Sequence, residues 1–205
     1  MTSPHRLSLP LVEGASATAR PQESLDAAKK RYGVVPNTYR AMANEPGLID
    51  TYLLGMSRLF KESGFSAAEL DVIFLTVSFE NACDYCVAAH SFTADTQSKL
   101  NPEVTNALRE GRVLADPKLQ ALSELARAVV LERGRPSSEV VQAFLQAGYA
   151  ERQVLDIVLA VSLKTISNYT NHLFETPVDG MFKAREWTAF KAGVKVANFF
   201  RRTQG

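Results

Sequence analysis

A chain of 205 residues with 46% hydrophobic and 9% aromatic content can bury a proper core, as one large domain or two small units. Its formal net charge of +1 provides no field to gather nucleic acid or an anionic membrane surface, so neither is expected as a partner. No apolar run approaches the roughly 20 residues needed to span a bilayer, and the N-terminal patch Leu7–Val12, broken by Pro10 and lacking a cationic start, does not read as a signal peptide, so a cytoplasmic location is expected.

In chain order, residues 1 to about 20 read as a loose arm ahead of a single domain, 21–205. The domain reads as all-α, because alternating apolar-polar strand patterns and Asn-Gly hairpin turns are missing. Gly33 marks a first helix stop and Gly64 a second. Met42, Met56 and the phenylalanines fall at helical spacing and read as core. Ser66-Ala-Ala-Glu69 is a capping box that opens a helix through the apolar run Leu70–Val77. Asn101-Pro102 and Asp116-Pro117 each pair an N-cap residue with proline at the first helical position. Gly111 and Gly134 close the helices that follow. Ser137 or Ser138 caps a helix through Val140, Val141, Phe144 and Leu145, and Gly148 ends it. Lys191–Arg202 reads as a final helix with apolar and basic faces, the basic one solvated.

An internal repeat divides the domain. A shift of 84 residues carries Phe60 onto Phe144, Gly64 onto Gly148, Phe65 onto Tyr149 and Ile73 onto Ile157. It also carries Leu75 onto Leu159 and Val77-Ser78 onto Val161-Ser162. Two pseudo-repeated halves follow, a thiol-bearing one at about 21–115 and a thiol-free one at about 116–190. The register sets Cys83-Asp84-Tyr85-Cys86 on Ser167-Asn168-Tyr169-Thr170, so the second copy keeps the tyrosine and replaces both thiols by hydroxyls.

The chain has two cysteines, and both stand in Cys-Asp-Tyr-Cys-Val-Ala-Ala-His, 83–90. Offsets of three and four place Cys83, Cys86 and His90 on one helix face. A thiol pair with a base beside it is the minimal equipment for reversible disulfide chemistry. In a reducing compartment such a pair is catalytic, redox-sensing or metal-binding rather than a staple, and a disulfide across so short a loop gains little chain entropy. At a helix start the dipole and unpaired N–H groups favour thiolate.

The segment Leu70–His90, with Tyr32-Gly-Val-Val-Pro-Asn37 ahead of it and Asn168-Tyr-Thr-Asn-His172 and Thr176-Pro-Val-Asp179 behind it, resembles the alkylhydroperoxidase D-like, or carboxymuconolactone decarboxylase, family. The likeness runs from about residue 25 to 185 and points to the uncharacterised peroxidase-related branch with two tandem halves. It implies an all-helical AhpD-like fold, a homo-oligomer, and a thiol-dependent peroxidase that needs no dissociable cofactor or metal. By this resemblance Cys86 attacks the hydroperoxide, Cys83 resolves the product as a disulfide, His90 belongs to a proton relay, and an external thiol reductant of unknown identity recycles the pair. Two departures stand out. Tyr85 takes the place of a histidine found in the best-known members, and the relay carboxylate, a glutamate there, is here Asp71. Glu80 is the competing carboxylate, since an unbroken helix would put it on the face of Cys83 and His90.

Structural readings compete at each position. Asp71 in the first turn of a capped helix serves the dipole, Glu80 can be a solvated charge, Tyr85 recurs at Tyr169 and so can simply pack, and His172 can be hydrogen-bonded near Asn168 or Asn171. Among functions, a lactone decarboxylase does not rely on a cysteine pair. A zinc or redox-sensing module could use Cys83, Cys86, His90 and Glu80, but these crowd into eleven residues, where zinc sites bring two ligands from a distant segment. A redox-regulated binding protein has no positive sign in the sequence.

Overall fold

The structure, a computed structural model, describes residues 4–14 and 19–186. Nine α-helices are described: α1 (Ala19–Tyr32), α2 (Asn37–Met42), α3 (Pro46–Glu62), α4 (Ala67–Glu80), α5 (Asp84–Thr93), α6 (Pro102–Glu110), α7 (Pro117–Leu131), α8 (Ser138–Gln146) and α9 (Arg152–Phe174). A π-helical turn, Ala94–Ser98, follows α5, and a 3₁₀ turn, Gly180–Arg185, follows α9. No strand occurs among the described residues, and none of their helices is long and apolar enough to cross a membrane. The final helix expected over 191–202 lies outside the described residues.

The centre of the fold is α4. Ten of its fourteen residues are buried, as a helix apolar all round must be, and α5, α6, α7 and α9 pack on it. The expected caps are formed. Ser66 Oγ accepts from Glu69 N at 3.2 Å while Glu69 Oε2 accepts from Ser66 N at 2.8 Å, the two halves of a capping box. Asn101 and Asp116 cap α6 and α7, each with proline just inside, and Ser137 caps α8. Gly111 ends α6 at φ 66, and a Cβ there would come within 2.6 Å of the Phe79 ring.

The described part of the N-terminal arm is not loose. Leu7 N donates to Leu173 O at 2.8 Å, Val12 N to Arg40 O at 3.1 Å, and Asn44 Nδ2 to Pro10 O at 2.9 Å. Its apolar patch packs through Val12 against the main core. A segment without helical periodicity has thus found its backbone partners on α2 and at the end of α9.

The two halves share a corner. Gly64 and Gly148 both take positive φ, 75° and 94°, and each turns the chain into the long helix of its copy. The aromatic residues beside them, Phe65 and Tyr149, meet edge to face at 5.7 Å. The copies part further on. In the second, α9 runs unbroken to Phe174. In the first, the helix ends at Glu80 and Ala82 swings to φ 54. Cys83 N then donates to Ser78 O and Ala82 N to Phe79 O, both at 2.9 Å, which is the paired bonding of a Schellman end with alanine where glycine is the usual choice. Left-handed backbone on an L-residue stores roughly 1 kcal/mol or more. Ala82→Gly is therefore expected to stabilise the fold by up to about 1 kcal/mol, read as a rise in the urea midpoint at constant m-value. A drop in the midpoint would contradict the strain.

Candidate active site

The break after α4 places the first thiol. Cys83 ends the Schellman turn and is at once the N-cap of α5, with its Sγ accepting from Cys86 N at 3.4 Å. Cys86 is one turn inside the helix. Both thiols are free and buried, at 1% and 3% exposure. From α9, Asn171 Nδ2 donates to Cys86 Sγ at 3.2 Å and reaches Cys83 Sγ at 3.9 Å. Their acidities are driven apart. Burial pushes the Cys83 thiol well above the ordinary cysteine value. Burial works the same way on Cys86 but is outweighed by the hydrogen bond from Cys83, the Lys164 ammonium and the Asn171 amide, which together hold it well below that value.

His90 lies one turn beyond Cys86 and packs at a tilt against Phe74, with ring centres 4.9 Å apart. Its Nε2 is 2.7 Å from Lys164 Nζ, and its Nδ1 is 3.4 Å from Asp71 Oδ1. An ammonium has only donors, so Lys164 donates and Nε2 accepts. The ring proton then sits on Nδ1, facing the carboxylate. At 3.4 Å that contact is an electrostatic approach rather than a closed hydrogen bond. Thr93 Oγ1, 3.1 Å from Asp71 Oδ1, fixes the carboxylate from the end of α5. Burial first, and the Lys164 charge second, lower the His90 pKa below the ordinary histidine value, against the pull of Asp71. The imidazole is accordingly neutral at neutral pH.

Cys86, His90 and Lys164 form the polar wall of a cavity of about 80 Å³, and Tyr52, Met56 and Phe182 line the apolar part. The 3₁₀ turn closes it, with Phe182 meeting Tyr85 at 6.1 Å and Phe92 at 5.5 Å. Tyr85 latches this turn by donating from its hydroxyl to Asp179 Oδ2 at 2.5 Å and accepting from Thr38 N at 3.3 Å. Burial, then Asp179, raises its pKa well above the ordinary tyrosine value, so it remains a phenol. Asp179 also accepts from Asn37 N at 3.2 Å, and the separated stretches 32–37 and 176–179 thus meet at Tyr85.

The competing carboxylates are separated by this geometry. Asp71 faces His90. Glu80 does not share the face of Cys83 and His90, because the left-handed turn at Ala82 ends the helix between them. Its side chain is fully buried, Oε1 accepts from Arg127 Nε of α7 at 2.9 Å, and it is not among the residues lining the cavity. The expectation that Glu80 could complete the site, or sit solvated, gives way to an ion pair inside the bundle. Among the described residues no three His, Cys, Asp or Glu side chains are grouped to hold a metal ion. His172 is exposed and stacks on Tyr169 at 6.2 Å. Lys164 was missing from the sequence reading, and Asn171 entered it only as a neighbour of His172. Lys164 had a signal available, since it is the one charge between Asp156 and His172 in α9 and falls on Glu80 in the 84-residue register.

No protein-family model and no curated protein matches the sequence. Solved structures do. A protein from Ralstonia eutropha JMP134, described as an alkylhydroperoxidase AhpD core and an uncharacterized peroxidase-related protein, superposes with a TM-score of 0.75 at 20% identity, covering 85% of this chain and 93% of that one. The chain has the AhpD-core fold. A peroxidase-related protein from Silicibacter sp. TM1040 gives a TM-score of 0.71 at 20% identity, with 88% and 95% covered. The debrominase Bmp8 gives 0.67 at 15% identity, with 81% and 89% covered. A cysteine-to-alanine variant of Bmp8, with a TM-score of 0.68 at 14% identity, is in complex with 2,3,4-tribromopyrrole. On the AhpD core of this chain the thiols, the histidine and the lysine converge from α5 and α9.

If these contacts set the acidity of Cys86, its alkylation in a Cys83→Ser background, where the hydroxyl preserves a donor, is half-maximal at a pH below the roughly 8.5 of ordinary cysteine. Asn171→Leu, which removes one donor to the sulfur, is expected to move that midpoint up. A midpoint at or above the ordinary value in the parent would contradict the assignment.

Proposed function

We propose that the protein is a thiol-dependent peroxidase that reduces hydroperoxides through a Cys83–Cys86 disulfide cycle. The observation that carries this reading is one acidified thiol, Cys86, facing a small cavity while a second thiol of raised pKa stands at the N-cap beside it. A thiolate is the attacking species in such chemistry, and a neighbouring thiol that stays protonated can resolve the product. In the first step the Cys86 sulfur attacks the terminal oxygen of the hydroperoxide. An S–O bond forms, the O–O bond breaks, the sulfur is oxidised by two electrons, and an alkoxide or hydroxide leaves. In the second, Cys83 displaces the hydroxyl of the Cys86 sulfenic acid, its own proton going out with that hydroxyl as water. Two equivalents of an external thiol then reduce the disulfide. The Asn171 amide, at 3.2 Å from the Cys86 sulfur, favours the charged form at the start and the end of the cycle.

Thiol-dependent dehalogenation of an aromatic ring is the second reading. It is favoured by the aromatic lining and by a fold held in common with a debrominase. Size weighs against it. A cavity known to hold benzene measures about 150 Å³, and this one is about 80 Å³. It suits a peroxide group with a short alkyl chain.

Cys86→Ser is expected to abolish peroxide consumption. Cys83→Ser is expected to complete one rapid turnover and stop as a sulfenic acid that dimedone traps on Cys86. A Cys86→Ser protein that forms sulfenic acid on Cys83 at the parental rate would reverse the two roles. Single variants that both react no faster than free cysteine would refute the peroxidase reading.

A further inference from the structure

Lys164 is 1% exposed, and lysines buried to that degree are rare unless paired. It reaches the site from α9, in the half of the chain that carries no thiols. Its Nζ meets His90 Nε2 at 2.7 Å, lies 5.8 Å from the centre of the Phe74 ring, and lines the same cavity as Cys86.

This geometry limits what His90 can do. Nε2 accepts from the ammonium and carries no proton to give. Nδ1 carries the proton but points at Asp71, 3.4 Å away. Protonating Nε2 would set two cations 2.7 Å apart in a buried site. The imidazole is therefore a linker between carboxylate and ammonium, and the cavity's proton source lies elsewhere. Tyr85, whose hydroxyl is among those lining the cavity, has its proton committed to Asp179.

We propose that Lys164 is the catalytic acid, donating the proton that the departing oxygen takes up as the O–O bond breaks. The inference rests on the peroxidase reading above. Three N–H donors let one ammonium serve His90 and a substrate oxygen together. The proton balance closes within the site. Cys86 starts as thiolate with Lys164 as ammonium and Cys83 as thiol. Attack gives the sulfenic acid and an alkoxide, and the alkoxide leaves as alcohol with the Lys164 proton, which makes Lys164 an amine. Condensation with Cys83 releases water and forms the disulfide. Two reductant thiols return two protons, one to the Cys83 sulfur and one to Lys164, and leave as their own disulfide. His90 and Asp71 are positioning residues in this scheme, holding Nζ toward the cavity.

The test exploits leaving groups. An alkoxide from tert-butyl hydroperoxide needs a proton, whereas acetate from peracetic acid does not. First-turnover rates of the reduced protein are measured with both oxidants, each variant being taken at a pH where its own alkylation profile shows Cys86 fully ionised. Lys164→Met is expected to lose at least about 100-fold with the alkyl hydroperoxide, the usual scale of general acid catalysis, and less than about tenfold with the peracid. Lys164→Arg keeps a cation but not a usable acid, so it is expected to restore the low Cys86 midpoint without restoring the alkyl hydroperoxide rate. Equal losses with both oxidants would overturn the proposal. Should Lys164→Met not fold, His90→Gln and the parent decide. The parental protein is expected to compress the peracid-to-alkyl rate ratio by at least about 100-fold relative to free cysteine thiolate, and His90→Gln, whose amide still accepts from Lys164, is expected to keep that compression. A parental ratio equal to that of free cysteine, or a ratio that reverts in His90→Gln, would overturn the assignment to Lys164. A parental protein that reacts with neither oxidant faster than free cysteine fails the peroxidase reading itself, an outcome distinct from the loss of the acid alone.

Discussion

A buried ammonium beside a buried thiol is the constraint on which the rest of this structure depends. Taking either charge out of water costs several kcal/mol, and neither Lys164 nor Cys86 is more than 3% exposed. The charges are tolerable because they are arranged together. Lys164 offsets the thiolate, His90 accepts from Lys164, and Asp71 faces the far side of the imidazole. Each member is held where the charge of another makes its own burial less unfavourable. Removing any one would leave the others both desolvated and without their partner, which is why the acidity of Cys86 is a property of the cluster rather than of the C-x-x-C sequence.

The internal repeat explains how one chain assembles such a cluster. Both copies use the same glycine-aromatic corner to start a long helix. In the first copy the helix breaks at Ala82, and the break creates a new N-terminus with Cys83 as its cap and Cys86 one turn inside. In the second copy the helix stays whole, and its continuing turns carry Lys164 and Asn171 across the thiols. The copies contribute different parts, one the two thiols and the other the charge and the hydrogen bonds that set the acidity of Cys86. Tyr85 and Asp179 then fasten the 3₁₀ turn over the cavity, and the Cys86 thiol is buried beneath it.

Much of this was legible in the residues. Capping boxes, Asn-Pro and Asp-Pro starts and glycine stops are local chemistry, and they mark helix ends whatever the tertiary fold does. The thiols and His90 declare themselves by spacing. Lys164 did not, because a lysine on an amphipathic helix ordinarily marks the solvated face, and only packing shows that this face of α9 is turned inward. The choice between Asp71 and Glu80 hung on a left-handed alanine, and alanine gives no signal of left-handed backbone as glycine would. Glu80 then found Arg127, a partner 47 residues away in sequence that spacing alone cannot reveal. The N-terminal arm was read as loose for a similar reason, since its partners, backbone groups of Arg40 and Leu173 and the side chain of Asn44, have no pattern in the sequence.

The contact between Lys164 and His90 is the centre of this account, and the tautomer of His90 reports on it directly. An imidazole whose Nε2 accepts from an ammonium must carry its proton on Nδ1. Nitrogen chemical shifts of the isotope-labelled imidazoles in the reduced protein at neutral pH, with the His90 signals assigned by their loss in His90→Gln, measure this without reference to activity. The account predicts a neutral His90 ring protonated at Nδ1. A neutral ring protonated at Nε2, or an imidazolium, would contradict it.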